Sequence, residues 1–172
     1  GWLAERFGRK RLFLAGMVVF TVGSIGSGVA PTVGVLIASR VVQSVGGALL
    51  VPASLGLILH AVEPDKRDVA IGVWGAMAGL AAAIGPTLGA VVVDSVGWRA
   101  VFLVNVPVAI IVAVLGAQRL DESLDASISP RVDLLAIPAG ALGVGLFVFV
   151  IVAGSTLGWA SPVALGSIVL GV

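Results

Sequence analysis

Cysteine is absent from these 172 residues, histidine occurs once, and only 11% of positions are charged. Without cysteine there is no disulfide framework, although that alone fixes no compartment. With His60 as the sole imidazole and no carboxylate inside a long apolar run, metal and nucleophile chemistry have no residues to stand on. An enzyme is not expected, and no cofactor is called for. A formal net charge of +1 and a pI near 8.6 are too balanced to point to nucleic acid.

What the chain has in excess is apolar length. Soluble domains are about a quarter charged and less than half apolar. Here hydrophobic residues reach 59%, aromatics only 6%, and the mean hydropathy is +1.17. The 24 glycines follow no collagen period and sit among long uncharged runs, as in membrane helices packed through small residues. A bilayer core needs roughly 20 apolar residues per helix. Runs of that order cover 12–30, 33–59 (interrupted only by Arg40), 69–93, 100–117 and 134–157. A last apolar piece, 162–172, is too short to span. Barrel strands would alternate in polarity over about 10 residues, and these runs do not. The expected class is therefore all-α, a polytopic membrane helix bundle with the lipid bilayer as its solvent. No signal-peptide pattern and no initiator Met precede the first span, so the sequence reads as a piece of a longer chain.

The joints between spans are polar, and their charges are sorted by side. Arg6, Arg9, Lys10 and Arg11 precede the first span, Lys66 and Arg67 follow the second, and Arg119 and Arg131 follow the fourth. Alternating spans put all of these on one face of the membrane and leave Arg99 on the other. By the positive-inside rule the shared face is cytoplasmic, including the 118–133 linker. All 9 carboxylates fall in joints or at helix ends, so the acid that a proton-moving protein usually carries inside the membrane is not among these spans.

Arg40 is the one charge well inside a span. Such a group costs at least about 2.5 kcal/mol and usually faces a cavity or a partner. It either snorkels to the outer surface or belongs to a polar stripe with Gln43 and Ser44, which follow within a turn. In the third span Gly75 and Gly79 form a GxxxG pair, continued by Ala81, Gly85 and Gly89, with Pro86 beside Gly85 inviting a bend. That pattern predicts a bent helix pressed against a neighbour. Trp2, Trp98 and Trp159 suit the interfacial belt. Trp74 faces either lipid or a cavity. The glycines at 140, 143 and 145 lie inside a spanning run and are not a dinucleotide loop.

Taken together, these residues resemble the major facilitator superfamily. "GWLAERFGRKRL" is similar to its signature loop G-x-L-A-D-R-x-G-R-K-x-x-L, with Gly1, Arg6, Gly8, Arg9 and Lys10 matching and Glu5 in the place of Asp. "RVVQSVG" resembles the fourth-helix pattern R-x-x-Q-G-x-G through Arg40, Gln43 and Gly46. Residues 72–90 resemble the fifth-helix antiporter motif through Gly72, Gly85, Pro86 and Gly89. "WRAVFLVNVP" is similar to a segment of the fourteen-helix drug:proton antiporters, the EmrB/QacA-like branch.

The resemblance implies helices three to seven and the start of helix eight of a partial major facilitator fold. Residues 1–117 would then belong to the N-terminal half, 118–133 to a cytoplasmic linker, and 134–172 to inserted helix seven and the start of eight. It implies proton-coupled efflux of drugs or other small molecules by alternating access, in an inner (plasma) membrane, alongside the remaining helices of the full-length transporter. Positions 1, 5, 6, 8, 9 and 10 would form a gate loop, Arg40 and Gln43 would take part in proton coupling, and the antiporter motif would shape the fifth-helix bend. One fold hosts many substrates. Transport of a specific metabolite, or a receptor or scaffold that kept the fold, are the alternatives, and the substrate-binding residues are unknown.

Overall fold

In the computed structural model, residues 8–120, 143–145 and 148 are described. Gly1, Glu5 and Arg6 of the expected gate loop lie outside them, as do the expected linker beyond residue 120, most of the expected fifth span and the 162–172 piece. Every regular element among the described residues is helical. The order is α1 (Arg9–Gly28), α2 (Val33–Ala61), a 3-10 turn (Pro64–Lys66), α3 (Arg67–Val96), α4 (Trp98–Leu103) and α5 (Asn105–Arg119). Residues 143–145 and 148, in the fifth span, are helical as well. The chain divides into two compact units, Gly1–Ile128 and Ser129–Val172, and the helices described next belong to the first.

The helix boundaries follow from local chemistry. Pro31 cannot continue a helix and disfavours helical backbone before it, so α1 stops at Gly28. Thr32 then opens α2: its backbone is extended and its Oγ1 accepts from Val35 N at 3.3 Å, satisfying one of the first amides. Gly97, at φ 99°, ends α3 by donating to the carbonyls of Val92 and Val93 and starts α4 in the same step. An L side chain is strained at that φ, so the turn falls to glycine. α4 and α5 break at Val104 because Pro107 has no N–H to offer the Leu103 carbonyl four residues back.

Treating 98–119 as one segment, four stretches are long and apolar enough to cross a membrane: Arg9–Gly28, Val33–Ala61, Pro64–Val96 and Trp98–Arg119. They correspond to the first four spans expected from hydropathy, extended by a few residues at most ends. Large apolar side chains such as Val22, Ile37, Leu88 and Ile111 are exposed along them. In hydrocarbon that arrangement costs nothing, and backbone polarity is satisfied within each helix.

The interior is built from small groups, as expected where lipid is as apolar as any side chain. α1 and α2 make the closest contact. Gly16, Gly23, Ser24, Ser27 and Gly28 of α1 and Gln43, Gly46, Ala53 and Leu57 of α2 are buried, with Gly16 against Gly46 and Gly23 and Ser24 against Gln43. A methyl group on Gly46 would lie 2.7 Å from Phe20 Cα, and one on Gly23 would lie 2.6 Å from Gln43 Cα. Neither has room, since both obstacles are backbone. Gly47, one position on, faces open space.

This contrast is testable in the full-length protein. Gly46→Ala should destabilise by about 1–3 kcal/mol through overpacking, whereas Gly47→Ala should be neutral or slightly stabilising. Thermal unfolding in detergent distinguishes the two, and equal midpoints would contradict the close α1–α2 approach.

Candidate functional site

Two sets of side chains tie the helices together, one at each end of the bundle. At the end where α1 begins, Gly8 adopts φ 91° and turns the chain into the helix. Arg9 then runs along α2, its Cδ against the open side of Gly56, and its Nη1 donates to Gly56 O at 3.1 Å. Lys10 Nζ donates to Ala117 O at 2.9 Å. Ala117 lies in the last turn of α5, where carbonyls have no intrahelical partner and attract cations. Of the expected gate-loop residues, Gly8, Arg9 and Lys10 are therefore brought to the ends of α2 and α5. Lys66 pairs with Glu63 at 2.5 Å in the exposed joint after α2, a surface pair of small energetic value.

At the other end sits the polar line that begins with Arg40. Arg40 Nη1 donates to Gln43 Oε1 at 2.5 Å, and Gln43 Nε2 donates across to Ser24 Oγ of α1 at 2.6 Å. Gln43 is 2% exposed and Ser24 fully buried. The amide thus bridges two helices where they are closest, while the guanidinium reaches outward from it. The i, i+3 spacing that places Arg40 and Gln43 on one face is realised as a direct bond. Arg40 lies over the Phe102 ring, 5.4 Å from its centroid. Among the described residues no carboxylate pairs with Arg40.

Three members of this region were not singled out from sequence. Ser24 looked like one of several serines in an apolar helix. Its signal was the face it shares with Gly16, Gly23 and Ser27, which lie eight and one residues before it and three after. Phe102 stands four residues after Trp98, and the two rings meet edge-to-face at 6.1 Å. Arg99, noted only as the base on the minority side, covers the Trp98 ring at 4.4 Å, and its Nη2 donates to Ala30 O at 3.0 Å. That bond anchors α4 to the end of α1, where Leu103 also fills the open side of Gly28.

The antiporter-motif residues fall elsewhere. α3 runs unbroken through Pro86 and has no buried residue. A methyl group added at Gly72, Gly75, Gly79, Gly85 or Gly89 would meet nothing within 4 Å. The neighbour expected against this helix is not among the described residues. Near its start, Trp74 Nε1 donates to Ser54 Oγ at 3.4 Å. Both line an open apolar cavity of ≈ 440 Å³ with Phe13, Met17, Met77 and Val112.

The buried amide makes an asymmetric prediction. Ser24→Ala leaves the Gln43 N–H groups without an acceptor and should cost about 1–3 kcal/mol, whereas removing both partners as Ser24→Ala/Gln43→Leu should cost less than Ser24→Ala alone. Chemical denaturation of the three proteins checks the order of stabilities.

Comparison with known proteins agrees with this architecture. An uncharacterised MFS-type transporter of Mycobacterium tuberculosis is 40% identical over 159 residues, which cover 92% of this chain and 27% of that protein. The multidrug resistance protein Stp of the same organism is 38% identical over 92% of this chain and 30% of its own length. The tetracenomycin C resistance and export protein of Streptomyces glaucescens is 38% identical over 74% of this chain and 25% of its own. The chain thus spans about a third or less of these relatives. The Major Facilitator Superfamily pattern matches residues 1–172 in full, and the chain belongs to that family of multi-pass membrane proteins.

Proposed function

We propose that this chain is part of a proton-coupled exporter of small lipophilic or cationic molecules, in the fourteen-helix antiporter branch, working by alternating access in a plasma membrane. The observation that carries this reading is the line from Ser24 through Gln43 to Arg40. It holds a permanent cation at a fixed place within a spanning helix, with Arg40 hydrogen-bonded to the buried Gln43 amide. A charge there is costly and is kept for function. A fixed guanidinium lowers the pKa of a carboxylate brought beside it, so a conformational change that separates the two allows that acid to take up a proton. The acid would come from helices other than α1–α5, where the carboxylates lie at helix ends and in joints. Relatives named for multidrug resistance and for tetracenomycin C export support the direction of transport.

The gate-loop reading gains support from Arg9 and Lys10, which lock the ends of α2 and α5 to the start of α1. A first turn of α1 bonded to both α2 and α5 lets the three helices move as one body when access alternates. The antiporter motif on α3 presents small residues along a face free for close helix packing.

Transport is tested with the full-length protein in inverted vesicles, following ethidium accumulation with and without a proton gradient. Accumulation should require the gradient, and Arg40→Lys, which keeps charge but loses the planar fork, should weaken that coupling. Gradient-independent accumulation would overturn the antiport reading. Sidedness is tested separately by single cysteines in a cysteine-free background. A membrane-impermeant maleimide should label Thr32→Cys from outside and Lys66→Cys only after inversion. The reverse pattern would place the basic joints outside.

A further inference from the structure

We propose that Phe102 is a positioning residue for Arg40, whose ring fixes the plane of the guanidinium and so the direction in which its free N–H edges point. This rests on the reading of Arg40 as the coupling cation. One hydrogen bond, from Nη1 to Gln43 Oε1, locates one corner of the guanidinium but leaves it free to swing about that bond. A ring centred 5.4 Å from Cζ removes the swing, because cations are attracted to the aromatic face. The two constraints come from different helices, Gln43 from α2 and Phe102 from α4, and together they define both position and tilt.

The ring is itself held by a second aromatic contact. Trp98 meets it edge-to-face at an interplanar angle of 84°. Arg99 covers Trp98 and is bonded to Ala30 O at the end of α1. A phenylalanine that served only to fill space in lipid would need no such support. With one face covered by the ring and one corner taken by Gln43, the remaining guanidinium edge is free for a carboxylate, which takes a parallel pair of N–H donors. The better that edge is aimed, the more strongly Arg40 holds the acid ionised.

The sign of the consequence follows. Removing the ring lets Arg40 wander and rehydrate, so it depresses the acid's pKa less. The acid then loads its proton at higher pH. In ethidium efflux by the full-length protein in inverted vesicles, Phe102→Leu should move the pH profile of gradient-driven transport about half a unit toward alkaline pH. Phe102→Trp, which keeps an aromatic face, should restore the original profile. Phe102→Met serves as a second variant without a face, in case leucine reduces the amount of protein in the membrane.

An unshifted profile in the leucine and methionine variants would overturn the proposal. So would a tryptophan variant shifted as far as they are, since packing alone would then explain the effect. Arg40→Gln, measured alongside, separates this inference from the reading beneath it. Coupling lost in Arg40→Gln with Phe102→Leu unshifted removes only the role of Phe102. Coupling and profile both retained in Arg40→Gln removes the role of Arg40 itself, and the Phe102 proposal with it.

Discussion

The bundle depends on how closely α1 and α2 approach each other. Gly23 and Gly46 remove the side chains that would hold the helices apart, and the backbone of one reaches the other. Among the described residues the only long polar side chain buried in that seam is Gln43, and its amide is bonded to both Ser24 and Arg40. A buried amide without partners would be among the most costly groups the seam could hold. Bonded through both its oxygen and its nitrogen, it fixes the rotation of α2 about its own axis. That rotation decides where Arg40 emerges and which ring it meets. Packing and charge placement are therefore one feature, set by two glycines and an amide.

Membrane solvent explains why so much else is on the outside. Lipid gives apolar side chains no reason to leave it, so contact between helices is made by shape and by hydrogen bonds. α1 and α2 satisfy both conditions and pack tightly. α3 has the small residues, and among the described residues its one side-chain hydrogen bond to α2 joins Trp74 to Ser54. A stripe of glycines permits close contact without creating it.

The spans were legible because their signal is coarse: some twenty apolar residues between polar joints. Arg40 and Gln43 were legible as a pair because i, i+3 neighbours meet on any helix. Ser24, Phe102 and Arg99 were not, because each acts on a residue far along the chain, and only the relative rotation of helices brings them together. The small-residue patterns show the same limit. GxxxG marks α3 without naming its partner, and among the described residues the packed seam is the one at Gly16, Gly23 and Gly46, whose spacing is no more distinctive. The break at Val104 was not legible, since Pro52 and Pro86 sit inside unbroken helices, and neither was Gly97 serving two helices at once, whose φ is invisible in the one-letter code.

The joint at the start of α1 has a property of a different kind. Arg9 and Lys10 donate to the carbonyls of Gly56 and Ala117, that is, to backbone and not to side chains. A carbonyl is present whatever residue stands there. Where Arg9 lies flat against α2 the position must also stay small, but at residue 117 no particular side chain is required. The cost of divergence is therefore uneven. The first turn of α1 is bound to its two basic residues, while position 117 of α5 can change its side chain without loosening the latch.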